Sequence, residues 1–421
     1  MRFKNLNLSK FGQRFCSETG IWNLMDDLGK AMHSGGQKLM LGGGNPAAIP
    51  IVRDIWRQRM AEILADQALF DSMLGDYHTP QGTPEFLDAI VKLFHNQYGW
   101  KLSRENIAVT PGSQMAFYYL VNLLAGEQSD GSFKKILLPL MPEYIGYADQ
   151  GQAKNIYQSY QPQIDYLDRH TFKYRVDFSS LKLSSDIAGV LVSRPTNPTG
   201  NVLTVDEVSR LAQMTKDAGV PLIIDNAYGH PFPDIIFSDI TPVWDERIIL
   251  SMSLSKIGLP GIRTGFVIAQ PEVIQAISAL NAILALANVN VGQQIITPLI
   301  ASGEIMDICK NHVRTFYFDR SRLAIDHFHS QMPDSIPYYL HKCEGAMFLW
   351  LWLKDSPLPT RELYERLKQR NVIVVPGEYF FFGLDDPWPH TNQCLRINYS
   401  HNPQMVKEGL SIIAEECRKI Y

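Results

Sequence analysis

From about residue 105 the chain alternates short apolar runs with helical segments, and this alternation restricts the fold more than any other feature. The apolar runs are "NIAVT", "KKILLPL", "IAGVLVSRP", "PLIIDNAYG", "RIILSMSLS" and "RTGFVIA", with stretches such as "GSQMAFYYLVNLLAG" and "TVDEVSRLAQMTKDAGV" between them. Such a pattern predicts a mostly parallel sheet covered by helices. The unit over 187–228 carries the fullest set of signals. "IAGVLVSRP" is nearly continuous in apolar residues, as a strand buried on both faces must be. Thr204 and Glu207 then form a capping box, Val208, Leu211, Ala212 and Thr215 share one helical face, and Gly219 stands where the helix should stop.

A chain of 421 residues exceeds one ordinary core, so two lobes are expected. After residue 300 the texture changes to longer charged helices around the strands "GAMFLWLWL" and "VIVVPG". The expected division is an N-terminal arm over 1–45 that joins the smaller lobe, a large domain over 46–299, and a small α+β domain over 300–421.

An apolar fraction of 45% with 19% charged residues is ordinary for a globular protein. The net charge of -4, without a long basic run, argues against a nucleic-acid footprint or a membrane-surface patch and leaves a small molecule as the expected partner. Five scattered cysteines without a C-x-x-C pair suit reduced thiols rather than a disulfide framework or a zinc site, so no metal is expected and the compartment reads as cytoplasmic. The N-terminus lacks the apolar core of a signal peptide. The uncharged stretch "VIQAISALNAILALANVNVGQQIITPLIASG" is interrupted by Asn281, Asn288, Asn290 and Pro298, and reads as a buried helix and loop rather than a membrane span.

In an open α/β sheet, the loops after the strands build the site. Gly112, Ser113 and Gln114 open a helix after "NIAVT", Asn197 follows "VLVSRP", Asp225 ends "PLIID", and Lys256 follows "SMSLS" with Arg263 seven residues on. Each has an ordinary alternative taken alone: a helix start, a structural ion pair, a solvated lysine. Together, an amine that could be desolvated, a buried carboxylate, a helix N-terminus and an arginine are the parts needed to hold pyridoxal 5'-phosphate. "GGG" at 42–44 is no dinucleotide loop, because Pro46 follows and no strand-helix-strand unit surrounds it.

The ordered motifs "GSQ", "NPTG", "DNAY", "SLSK", "GIRTG" and "CLRINY" resemble the fold-type I aminotransferases over almost the whole chain. Longer stretches, among them "LMLGGGNPAAIP" and "PLMPEYIGYADQG", look like the branch of that family that trades amino groups between valine and pyruvate. The resemblance implies an α/β fold with a mostly parallel seven-stranded sheet between helices and a smaller α+β domain. It implies that Lys256 bonds covalently to the cofactor aldehyde, that Asp225 partners the pyridine nitrogen, and that Tyr228 and Asn197 hold the ring oxygen. Gly112, Ser113, Gln114, Ser253 and Arg263 would form the phosphate cup, and Tyr144 would stack on the ring. Arg396 would grip the substrate carboxylate, with Asn197 and Gly44 beside it, and Tyr77 would reach the phosphate of a neighbouring subunit, which implies a homodimer. Where many relatives carry an acid after the aspartate, Asn226 stands here. Another enzyme on the same scaffold, such as a broad-range or aromatic aminotransferase or a carbon-sulfur β-lyase, is the nearest alternative.

Overall fold

The computed structural model describes residues 6–16, 19–22, 26, 29 and 38–421, so much of the arm expected over 1–45 lies outside the described residues. Its larger sheet runs in the order Ile107–Thr110, Gly265–Ile268, Ile248–Ser253, Leu222–Asp225, Ile187–Ser193, Phe133–Leu138. The far edge of Phe133–Leu138 is shared by two short strands, Tyr157–Ser159 in parallel and Gly126–Glu127 antiparallel. Eight strands thus occupy seven places, and Gly265–Ile268 is antiparallel to both its neighbours. The central strands are buried at every position, which is why they read as unbroken apolar runs.

The 187–228 unit forms as its signals require. Its helix spans Val205–Ala218, with the Thr204 hydroxyl accepting from the Glu207 N–H and the Glu207 carboxylate accepting from the Thr204 N–H. It ends at Gly219 with φ 70°, a left-handed position that glycine adopts without a Cβ penalty. The uncharged stretch becomes two helices, Pro271–Ala285 and Asn290–Ser302, and among the described residues no helix is long and apolar enough to cross a membrane.

A second, six-stranded sheet holds Val375–Pro376, Cys394–Asn398, Phe348–Leu353 and Tyr338–His341, and then the hairpin Gln163–Tyr166 and Thr171–Arg175. That hairpin comes from the middle of the chain, between strands of the larger sheet. Its sequence "QIDYLDRHTFKYR" gives no clean apolar pattern because its inward residues include Lys173, which is buried against Glu344. Leu39–Met40 pairs in parallel with Val372–Ile373, bringing the segment before Gly42 alongside the C-terminal part of the chain.

Candidate active site

The register of the larger sheet aligns the strand ends that matter. Ser193, Asp225 and Ser251 lie in one row, and Ser253, Gly265 and Thr110 in another. The residues just beyond those rows, including Ser113, Asn197, Tyr228 and Lys256, therefore face one cleft, which Arg396 and Gly44 close from the other side. This is the usual place for a ligand in a sheet of this kind.

One end of the cleft is built for an anion. The helix Ser113–Leu124 starts there, with Gly112 at φ 81° as its N-cap and no side chain capping its first turn, the kind of helix end that suits an anion. A Cβ on Gly112 would collide with the Arg263 guanidinium, and one on Gly265 with the Ser113 nitrogen, so both glycines admit a close approach that no other residue would. Arg263 adopts φ 46°, and its Nη1 donates weakly to the Ser255 hydroxyl and to the Pro260 carbonyl at 3.4 and 3.2 Å. Among the described residues it makes no ion pair. Ser113, Ser253 and Ser255 add hydroxyls around it.

At the centre, Asp225 accepts from the Tyr147 hydroxyl at 2.5 Å and from the Ala227 N–H at 3.0 Å. Burial pushes its carboxyl up to about 6 against those two hydrogen bonds. Lys256 sits in a short turn, Ser255–Ile257, held by the Trp56 indole donating to the Ile257 carbonyl. Its Nζ donates to the Gly44 carbonyl at 2.7 Å. Burial, with the nearby cation of Arg396, brings this amine down to about 8, opposed by the charge of Asp225. An amine in that range is partly unprotonated near neutral pH and can act as nucleophile and base.

The opposite wall carries a buried cation. Arg396 is 3% exposed, with Nη1 donating to Asn197 Oδ1 at 2.8 Å and Nη2 to the Gly42 carbonyl at 2.7 Å. Its plane packs against Phe348 and Phe380. Among the described residues no carboxylate pairs with it, and its Nε has no partner. Asn398 fixes the glycine loop by donating to the Gly43 carbonyl at 2.6 Å.

The cleft thus gathers Lys256, Asp225, Tyr228, Asn197, Tyr144, Ser113, Gln114, Ser253, Arg263, Arg396 and Gly44, with Gly112 just behind. Tyr77 lies elsewhere, at 83% exposure on the outer surface. Asn226 turns away to donate to the His230 carbonyl at 2.5 Å, shaping its loop. Asn288, one of the residues interrupting the uncharged stretch, donates to the Pro80 carbonyl. Sequence reading passed over Tyr147 and Glu143. The one available signal was a glutamate inside an otherwise apolar and aromatic turn, "MPEYIGY".

With the site in view, the class of protein follows: residues 52–413 match the model of aminotransferase class I and II, and the chain belongs to that family, whose chemistry runs on pyridoxal 5'-phosphate. The residues present fit that group: the donors around Arg263 suit its phosphate, Asp225 its ring nitrogen and Lys256 its aldehyde. Among individual proteins, the chain is 43% identical over 99% of both sequences to valine-pyruvate aminotransferase of Escherichia coli K12. It also matches the crystal structure of valine-pyruvate aminotransferase from Salmonella typhimurium LT2 with TM-score 0.88 and 43% identity, over 95% of this chain and 99% of that one. Aspartate aminotransferase from Thermus thermophilus, at 17% identity, 98% coverage of this chain, full coverage of its own and TM-score 0.76, shares the fold.

Proposed function

We propose that this chain exchanges the amino group between L-valine and pyruvate, giving 3-methyl-2-oxobutanoate and alanine. The observation that carries the reading is Arg396, a buried guanidinium with an unpartnered Nε and no ion pair among the described residues, in a cleft that the apolar side chains of Ile21 and Ile145 also line. A buried cation without a protein partner suits a ligand carboxylate, which it can grip through two parallel hydrogen bonds. The relatives named for valine and pyruvate support that choice.

Bound pyridoxal phosphate supplies the electron sink that makes the substrate Cα–H acidic. The side chains do the rest. Arg263, Ser113, Ser253 and Ser255 would hold the phosphate, with Gly112 and Gln114 at the helix start. Ionised Asp225 would keep the ring nitrogen protonated, Tyr144 would cover the ring, and Tyr228 and Asn197 would hold its oxygen. Arg396 would orient the substrate with its Cα–H toward the Lys256 Nζ, which would take that proton and deliver it to the carbon on the far side of the substrate nitrogen. Both half-reactions use the same groups, so one carboxylate clamp serves amino acid and oxo acid alike.

The site is proposed to be completed by a second copy of the chain. Leu74, Tyr77, Ile283, Leu284 and Leu286 are exposed apolar side chains, and the Tyr77–Pro80 segment meets the Ile283–Leu286 end of its helix through the Asn281 and Asn288 bonds to Pro80. A homodimer would cover this face and bring Tyr77 to the neighbour's phosphate. Five free cysteines suit a reducing, cytoplasmic setting.

The deciding experiment follows the absorbance of the cofactor-loaded protein as L-valine and then pyruvate are added. Loss of the visible band with valine and its return with pyruvate is the expected result. A band that responds to neither removes the substrate pair, and sedimentation of the same sample as a monomer removes the shared site.

A further inference from the structure

Behind Asp225 lies a second buried carboxyl that the reaction as described does not use. Glu143 is 1% exposed, and its Oε1 accepts from the Ser193 N–H at 2.8 Å while Oε2 lies 2.6 Å from the Ser193 hydroxyl and 3.2 Å from the Tyr144 N–H. The Ser193 hydroxyl lies 3.2 Å from the Tyr147 hydroxyl, which is 2.5 Å from Asp225 Oδ2. A continuous chain of oxygens therefore runs from Glu143 through Ser193 and Tyr147 to Asp225, all within the buried interior.

We propose that Glu143 is a positioning residue that carries the one proton shared by the two carboxyls and, through Ser193 and Tyr147, keeps Asp225 ionised and aimed at the cleft.

The proton count of the chain supports this assignment. There are three oxygen–oxygen links. The two hydroxyls bring two protons, and one carboxyl proton fills the third link. With both carboxyls ionised one link holds no hydrogen, and with both protonated one hydrogen has no place in the chain. The shared proton can sit at either end. On Glu143, every donor points toward Asp225; on Asp225, every donor points toward Glu143. Backbone donors do not decide between the ends, since Glu143 accepts from two N–H groups and Asp225 from one; the Lys256 charge, which acts on Asp225, favours the anion there. The charge that acts on Glu143 is that of Asp225, which favours a neutral neighbour, and burial pushes Glu143 to about 8 against about 6 for Asp225. Cooperative polarisation along the chain strengthens the terminal bond to Asp225.

The inference rests on the proposed pairing of Asp225 with the ring nitrogen, but the proton's location can be tested without cofactor. Infrared spectra of the cofactor-free protein at neutral pH should contain a protonated-carboxyl band that disappears in Glu143→Gln and persists in Asp225→Asn. The reverse pattern would overturn the proposal and leave the aminotransferase reading intact. Cofactor affinity gives the second readout. Glu143→Leu, which removes the donor, and Ser193→Ala, which cuts the chain while leaving both carboxyls in place, should each weaken pyridoxal phosphate binding roughly tenfold. Glu143→Gln, whose amide donates to Ser193 at every pH, should restore it and should remove the alkaline loss of affinity expected in the wild-type protein above about 8. Wild-type affinity in both Glu143→Leu and Ser193→Ala would defeat the proposal. Failure of the wild-type protein to bind the cofactor would instead defeat the proposed function, with the infrared result still deciding where the proton sits.

Discussion

At Lys256, charged neighbours pull the amine in opposite directions, Arg396 and Arg263 down and Asp225 up, which makes its ionisation testable residue by residue. Only the neutral amine reacts with an aldehyde, so reductive labelling of the cofactor-free protein should rise with pH around about 8, below the 10.5 of a free lysine. Asp225→Asn removes a charge that raises the lysine pKa and should move that midpoint down, whereas Arg396→Met removes one that lowers it and should move it up. Measuring label incorporation across pH checks all three. Arg396→Lys should cost about 2–5 kcal/mol of transition-state binding for every amino-acid substrate alike, read as a parallel loss of kcat/KM, because one ammonium cannot reproduce the fork. A loss confined to one side-chain type would move Arg396 out of that role. Asp225 and Lys256 were legible in the sequence because each ends or follows an apolar strand, where an unpaired charge is costly, whereas Arg396 was reached through the family resemblance of "CLRINY". The positions of Glu143 and Tyr147 were not legible, because a proton chain is made by contacts between residues 46 to 78 positions apart.

Among the elements, the Val205–Ala218 helix was written most plainly, since its start, its buried face and its stop are each encoded by local residues. Thr204→Ala should therefore lower stability by about 1 kcal/mol, seen as a reduced Tm with KM unchanged, because the cap lies away from the cleft. Gly112→Ala should reach the site as well as the fold. The strained φ costs about 1–2 kcal/mol and the new Cβ meets Arg263, so cofactor affinity falls along with stability, and equilibrium dialysis against pyridoxal phosphate reads the difference. The hairpin Gln163–Arg175 marks where local signals fail. Its pairing with Tyr338–His341 is set by residues 169 positions away, and its buried lysine masks the apolar alternation by which a strand is recognised.

Across the whole molecule, that hairpin, the loop after the Ile187–Ser193 strand and the approach to Phe348 meet at Glu344. Its carboxylate holds Lys173 and Lys342 and accepts from the Val202 N–H, while its backbone N–H donates to the Gly200 carbonyl. Removing Lys173 leaves the buried Glu344 carboxylate with only the half-exposed Lys342, so Lys173→Met should destabilise the protein by up to about 3 kcal/mol, and Lys173→Met with Glu344→Leu should recover much of that, as denaturant unfolding would measure. The glycine triplet at 42–44 joins the two sides of the site in a different way. The backbone oxygens of Gly42 and Gly44 accept from Arg396 and Lys256 respectively, so each carbonyl answers to one of the two cations. The segment is in effect a two-channel occupancy gauge: isotopic labels on those carbonyls would show separately whether the anion clamp and the amine are engaged.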